Sequence, residues 1–235
     1  MFKGKESFAP AEALHPKGID VRRRQFLKYA GYAGVAGLVL SGCTREILTE
    51  PNSPQDEVNL GSGDIGILNY AYALEQLEAA FYTKVIATPF TGINQMEGML
   101  IKDVRDHEIA HREFFKNALG SNAIGQLEFD FSSVNFNSRD SVLATSKAFE
   151  DLGVSAYNGA GRLLQSATYL TLAGKIVSVE ARHAAFFRDL IKFGSFSDEV
   201  VNAQGLDTSR KPSEVLAIAD PFIITKINAD DLPTY

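Results

Sequence analysis

The chain has 235 residues, 45% hydrophobic and 22% charged, a globular balance that excludes a wholly disordered protein. Eight prolines and 19 glycines are too few for a collagenous or low-complexity chain. A formal net charge of −6 gives no electrostatic footing for nucleic-acid binding, and no nucleic acid is expected as a partner.

The charge is unevenly spread. Residues 1–42 carry seven Lys/Arg and three Asp/Glu, which leaves 16 Lys/Arg and 26 Asp/Glu of the chain's 23 and 29 for the remainder. A basic head on an acidic body reads as an address rather than as part of the fold. Arg22, Arg23 and Arg24 precede Gln25-Phe26-Leu27-Lys28 and then a small, apolar run from Tyr29 to Leu40. Twelve residues are too short to span a bilayer as a helix but suit the apolar core of a signal peptide. The string Arg23-Arg24-Gln25-Phe26-Leu27-Lys28 resembles the twin-arginine export signal, with Arg22 standing where Ser or Thr usually precedes the pair.

Leu40-Ser41-Gly42-Cys43 resembles the bacterial lipobox, in which the cysteine is lipidated and the chain is cut before it. Cys43 is the only cysteine, so no intramolecular disulfide is available. These resemblances imply a signal peptide over residues 1–42 and two partners: the twin-arginine export machinery, and a membrane held through lipid on Cys43. The expected location is the cell envelope, lipid-anchored on the periplasmic or cell-surface face of a bacterial membrane. Thr44 does not favour inner-membrane retention. The twin-arginine route implies export of an already folded protein with its cofactor loaded. That suits iron or manganese, which copper and zinc outcompete at most nitrogen and oxygen sites. Residues 43–63, mostly polar with Pro51, Pro54 and two glycines, read as a flexible tether.

From residue 64 to 194 the apolar spacing predicts four long helices and no set of strands. The first covers about Ile65 to Ile86, with Asp64 as cap and Thr88-Pro89 as stop. The second covers Ile93 to Leu119, stopped by Gly120. The third runs from Asp140 to Leu164 and the fourth from Ala167 to Phe193, closed by Gly194. Between the second and third lie about twenty residues, Ser121 to Arg139, with Phe129, Phe131, Val134 and Phe136 spaced among polar residues. A crossover along the length of a bundle accounts for a connection that long. Residues 195–235 read as an extension packed on the bundle, with a short helix from Ser213 to Ala219.

The four helices form two copies of one pair. Ala73-Leu74-Glu75-Gln76-Leu77 aligns with Ala148-Phe149-Glu150-Asp151-Leu152, and each glutamate is followed seven residues later by a tyrosine, Tyr82 and Tyr157. Glu108-Ile109-Ala110-His111 aligns with Glu180-Ala181-Arg182-His183, and each histidine is followed by two phenylalanines, Phe114 and Phe115, then Phe186 and Phe187. Glu-x-x-His sets both side chains on one helix face. With 15 Glu and 4 His in the chain, chance supplies about 0.26 such pairs. Two at equivalent places of a repeat, each preceded by a matched Glu, are a specific signal.

This constellation resembles the ferritin-like di-iron or di-manganese carboxylate proteins, in which two helices give one Glu each and the other two give Glu-x-x-His. Leu77-Glu78-Ala79-Ala80-Phe81-Tyr82 and Glu150-Asp151-Leu152-Gly153-Val154 are most similar to the exported ferritin-like branch related to desiccation-associated proteins. The resemblance implies an all-α, ferritin-like four-helix bundle. It also implies two divalent metal ions, iron or manganese, on Glu75, Glu108, His111, Glu150, Glu180 and His183. Two divalent cations, four carboxylates and two neutral imidazoles sum to zero charge, whereas four unpaired buried carboxylates would be prohibitively costly.

Several readings stay open. Glu78 lies one turn after Glu75 and can substitute for it, although the repeat puts Gly153 opposite Glu78 and so favours Glu75. Asp151 reads as a surface or cap residue. Tyr82 and Tyr157 read as core residues whose hydroxyls can bond a ligand glutamate. His107 points about 100° away from Glu108 and defaults to the surface or to support of a ligand. His107-Glu108-Ile109-Ala110-His111 also matches the His-Glu-x-x-His zinc-protease pattern, a reading that leaves Glu180 and His183 unexplained. The expected chemistry is redox, with peroxide or ferrous iron handling in stress protection implied by the resemblance and no catalytic residue assignable. The alternative is a non-enzymatic envelope scaffold or desiccation-protection protein. A closed cage fits poorly with a lipid tether, and a homodimer stays open.

Overall fold

The computed structural model describes residues 57–235, so Arg23, Arg24, Cys43 and most of the expected tether lie outside the described residues. Four long helices carry the body: α1 (Gly63–Ala87), α2 (Gln95–Leu119), α3 (Arg139–Gly161) and α4 (Ala167–Ile191). A shorter α5 (Pro212–Ala219) follows. The architecture is the expected all-α four-helix bundle. No helix among the described residues is long and apolar enough to cross a membrane.

Local chemistry sets the helix ends. Asn94 accepts from Glu97 N at 2.9 Å, Ser138 from Ser141 N and Ser166 from Tyr169 N, each satisfying a first-turn amide. Gly120 takes φ +56° just past α2, a left-handed conformation that costs glycine little. The expectation for Asp64 is corrected: Ser62 is the residue at the start of α1, and Asp64 already lies inside the first turn. Its carboxylate accepts instead from Gln165 N at 2.7 Å and Ser166 N at 2.9 Å, pinning the start of α4. The fourth helix stops at Ile191, three residues before Gly194, and the third at Gly161, three before Leu164.

Short connections make α1/α2 and α3/α4 antiparallel pairs, and α1 packs on α3 between them. The long connection returns the chain along the bundle. Arg139, the first residue of α3, bonds Glu97 in the first turn of α2 at 2.9 Å and the Leu190 carbonyl near the end of α4. The starts of α2 and α3 therefore share one end of the bundle. Helix α1 is the central element: 17 of its 25 residues are buried, against six in α2. A helix covered on all sides needs apolar residues all round, which explains its weakly one-sided pattern.

Two buried amides on α1 hold the crossover. Asn69 donates to the carbonyls of Leu60 and Asn122 and accepts from Ile124 N, each at 3.0 Å. Gln76, two turns on and on the same face, donates to Gly125 O at 3.2 Å and accepts from Leu127 N at 3.0 Å. The crossover in turn pairs with the extension, through Ile224 N to Glu128 O at 2.8 Å and Asp130 N to Phe222 O at 3.0 Å. Val215, Ala219 and Leu232 of the extension join the main core.

Residues 58–60, assigned by the sequence to the end of the tether, belong to the fold. Val58–Asn59 forms strand β1, paired in parallel with β2 (Ile227–Asn228), and Leu60 is fully buried. The isolated apolar residues Val58 and Leu60 gave no signal, because their partners lie some 170 residues away in the sequence.

The extension crosses α3 at Gly159. Arg210 N donates to Ser155 O at 3.0 Å, and a Cβ at position 159 would run into the Arg210 carbonyl. Gly159→Ala should therefore cost about 1–3 kcal/mol through overpacking, read as a lower urea midpoint with an unchanged helical spectrum.

Candidate metal centre

Six side chains meet at mid-bundle. Helices α1 and α3 contribute Glu75 and Glu150, α2 contributes Glu108 and His111, and α4 contributes Glu180 and His183. All four glutamates have no exposed surface. Donor atoms of Glu75, Glu108, His111 and Glu180 lie within 4.8 Å of one another, as do those of Glu108, Glu150, Glu180 and His183. The two groups share Glu108 and Glu180, the glutamates of the two Glu-x-x-His motifs. Each keeps one private Glu and one private His.

Both histidines turn Nδ1 inward. His111 Nδ1 is 2.7 Å from Glu180 Oε1 and 3.5 Å from Glu75 Oε2. His183 Nδ1 is 2.9 Å from Glu108 Oε1 and 3.3 Å from Glu150 Oε2. These contacts meet the distance of a hydrogen bond but not its angles. Among the described residues ten buried side-chain polar atoms lack a hydrogen-bond partner, and eight of them belong to these six residues. Buried polar atoms are normally paired, so such a concentration of lone pairs in one place fits cations. Oxygen and imidazole donors of this kind can hold metal ions.

The tyrosines cross over between the two halves. Tyr82 on α1 donates to Glu150 Oε1 on α3 at 2.6 Å, and Tyr157 on α3 donates to Glu75 Oε1 on α1. Each tyrosine ring lies on a phenylalanine one turn past a cluster histidine: Tyr82 on Phe187 at 5.7 Å, Tyr157 on Phe115 at 6.3 Å. The first phenylalanine of each pair, Phe114 or Phe186, is only half-buried. Each tyrosine thus leaves one oxygen of its glutamate, Oε2, facing the cluster unpaired.

Glu78 is buried beside the cluster but belongs to neither four-residue group. Its Oε1 is 3.1 Å from where a Cβ at Gly153 would stand, so the missing side chain at Gly153 makes its room. Asp151 departs from the surface or cap role expected of it. It makes a two-pronged pair with Arg188 at 2.9 and 2.6 Å, and Arg188 is itself buried. His107 joins neither group. Its Nδ1 lies 2.9 Å from Nε2 of His183, on the side of that ring turned away from the carboxylates. It does not share a donor group with His111, as the zinc-protease pattern would require.

Without cations, protons carry the compensation. Burial opposes charging His183, but Glu150, Glu108 and Glu180 outweigh it and push its pKa up to about 12. Burial likewise opposes charge on His111, whose pKa the carboxylates of Glu108, Glu180 and Glu75 hold far above the usual value. Burial raises Glu150 to about 7, with His183 pulling the other way. Burial and Glu180 raise Glu108, and burial and Glu108 raise Glu78, both well above the usual carboxylate range. Glu180 runs the other way: burial would raise it, but His111 and His183 lower it to about 2.

A four-helix bundle with a buried carboxylate–histidine cluster able to hold metal ions is the class of protein that this fold and site define. The family model for the ferritin-like domain matches residues 63–192, more than half of the chain, and the chain belongs to that family. No curated protein matches the chain.

The signs of these shifts give a pH dependence for metal-free protein. Groups with raised pKa hold protons in the folded state that the unfolded chain releases, so their contribution falls as pH rises: above about 4.3 for the glutamates and about 6.5 for the histidines. Glu180 contributes oppositely, losing stability as pH drops toward 2. The melting temperature of chelator-treated protein should therefore fall from pH 5 to pH 8. Added divalent cation should raise it more at pH 8, where fewer protons compete for the donors.

Proposed function

We propose that the protein is an exported, lipid-anchored ferritin-like protein with a dinuclear iron or manganese site, serving redox or peroxide and iron handling in envelope stress protection. The observation that carries the metal reading is the set of eight unpaired donor atoms gathered in two groups that share Glu108 and Glu180. Four carboxylates and two neutral imidazoles match the charge of two divalent cations. Export and anchoring rest on Arg23-Arg24-Gln25-Phe26-Leu27-Lys28 and on Cys43 after Leu40-Ser41-Gly42.

Bound there, two iron or manganese ions would supply one-electron chemistry toward dioxygen or peroxide. The protein's part is positional. Glu108 and Glu180 present both oxygens to the cluster with no competing hydrogen bond. Glu75 and Glu150 are each steered through one oxygen by a buried tyrosine. Burial and the neighbouring carboxylates raise the pKa of both hydroxyls, which keeps them protonated and donating. Leu74, Leu77, Phe81 and Phe187 belong to the apolar core that keeps this layer dry.

Elemental analysis of protein purified from its native envelope without chelator tests the reading. About two iron or manganese per chain is expected, together with ferrous oxidation or peroxide consumption. Glu180→Ala should lose both ions, because Glu180 serves both groups. A folded protein devoid of metal would overturn the redox reading and leave the scaffold. For the anchor, Cys43→Ser should move the protein from the membrane to the soluble envelope fraction, and Arg23→Lys with Arg24→Lys should retain it in the cytoplasm.

A further inference from the structure

The two donor groups are related by the repeat, but their histidines are backed differently. His183 Nε2, the ring nitrogen turned away from the carboxylates, lies 2.9 Å from Nδ1 of His107. The two ring planes are 10° apart with centroids 5.2 Å apart. Stacked faces, about 3.5 Å apart, could not bring two ring nitrogens to 2.9 Å, so the rings meet edge to edge, the in-plane geometry of an imidazole–imidazole hydrogen bond. The residue that precedes Glu180 as His107 precedes Glu108 is Val179, which offers no acceptor to His111.

We infer that His107 is a positioning residue that fixes the tautomer and orientation of His183 and thereby makes the two divalent-cation positions unequal. The inference rests on the metal reading above. To ligate through Nδ1, His183 must keep that nitrogen's lone pair free and carry its proton on Nε2. A proton there needs an acceptor, and His107 Nδ1 is one. His107 then carries its own proton on Nε2. This hydrogen bond holds the ring against rotation and raises the electron density on the ligating nitrogen. His111 has the same task without that support. The Glu150–His183 position is therefore the tighter of the two, and the Glu75–His111 position fills second.

Titration of the metal-free mature chain with cobalt(II), followed by calorimetry and by visible absorption, tests this. The wild-type protein should bind two ions with resolved affinities. His107→Ala should weaken the tighter one about 10- to 100-fold and leave the weaker unchanged. His107→Asn, whose Oδ1 takes the place of Nδ1 as acceptor, should restore the gap. His107→Ala should add nothing on a His183→Ala background, a coupling that a merely structural role would not produce. Unchanged affinities in His107→Ala, or equal losses in the Ala and Asn variants, would overturn the inference while leaving the metal centre standing. A wild-type chain that binds no cobalt would overturn the metal centre itself. His107 is largely exposed, so neither variant threatens the fold.

Discussion

Four glutamates with no exposed surface stand within one layer of a largely apolar bundle interior, and that layer constrains everything around it. An isolated buried carboxylate is too costly to keep charged, so the layer exists only with compensating positive charge. Protons supply it in the metal-free chain, at the expense of His111 and His183 pKa values far from ordinary. Two divalent cations, as proposed above, would supply the same charge without that perturbation. The cluster is thus a place where the fold gives up stability in exchange for a set of donors able to hold metal ions.

The repeat shares the work of positioning between the halves. Each half's tyrosine holds the other half's glutamate, and the other half's Glu-x-x-His helix supplies the phenylalanine under that tyrosine. Neither pair of helices can shape its own half of the cluster, so the two must dock before any donor is correctly aimed. The symmetry breaks twice. Glu78 occupies the space that Gly153 leaves empty on the opposing helix, which adds a further carboxyl to one side alone. His107 backs His183, whereas the residue at the equivalent place of the repeat is Val179, whose side chain has no acceptor.

Around this centre the remaining chain acts as a clamp. Helix α1 is covered on most sides, and its polar interior residues Asn69 and Gln76 are satisfied by the backbone of the crossover. The crossover is in turn paired to the extension, and the extension returns to β1 at the start of the described chain. A central helix carrying Glu75, Glu78 and Tyr82 is in this way braced by segments distant from it in sequence. Such bracing limits the freedom of the donors.

The sequence by itself determined the helical class, the four long elements to within about three residues at their ends, and the six residues that converge, because helical period and a duplicated Glu and Glu-x-x-His pattern are local signals. It also marked Tyr82 and Tyr157 as partners for cluster glutamates. Only the tertiary structure decided which half each tyrosine serves, that Glu75 rather than Glu78 joins a donor group, and that Asp64 and Asp151 bond across the bundle. Each of these depends on the register between α1, α2, α3 and α4, and no spacing along one helix reports that register. The pairing of β1 with β2, the amide clamps of Asn69 and Gln76, and the edge-to-edge meeting of His107 with His183 were hidden for the same reason: each joins residues far apart in the chain through a contact that only packing creates.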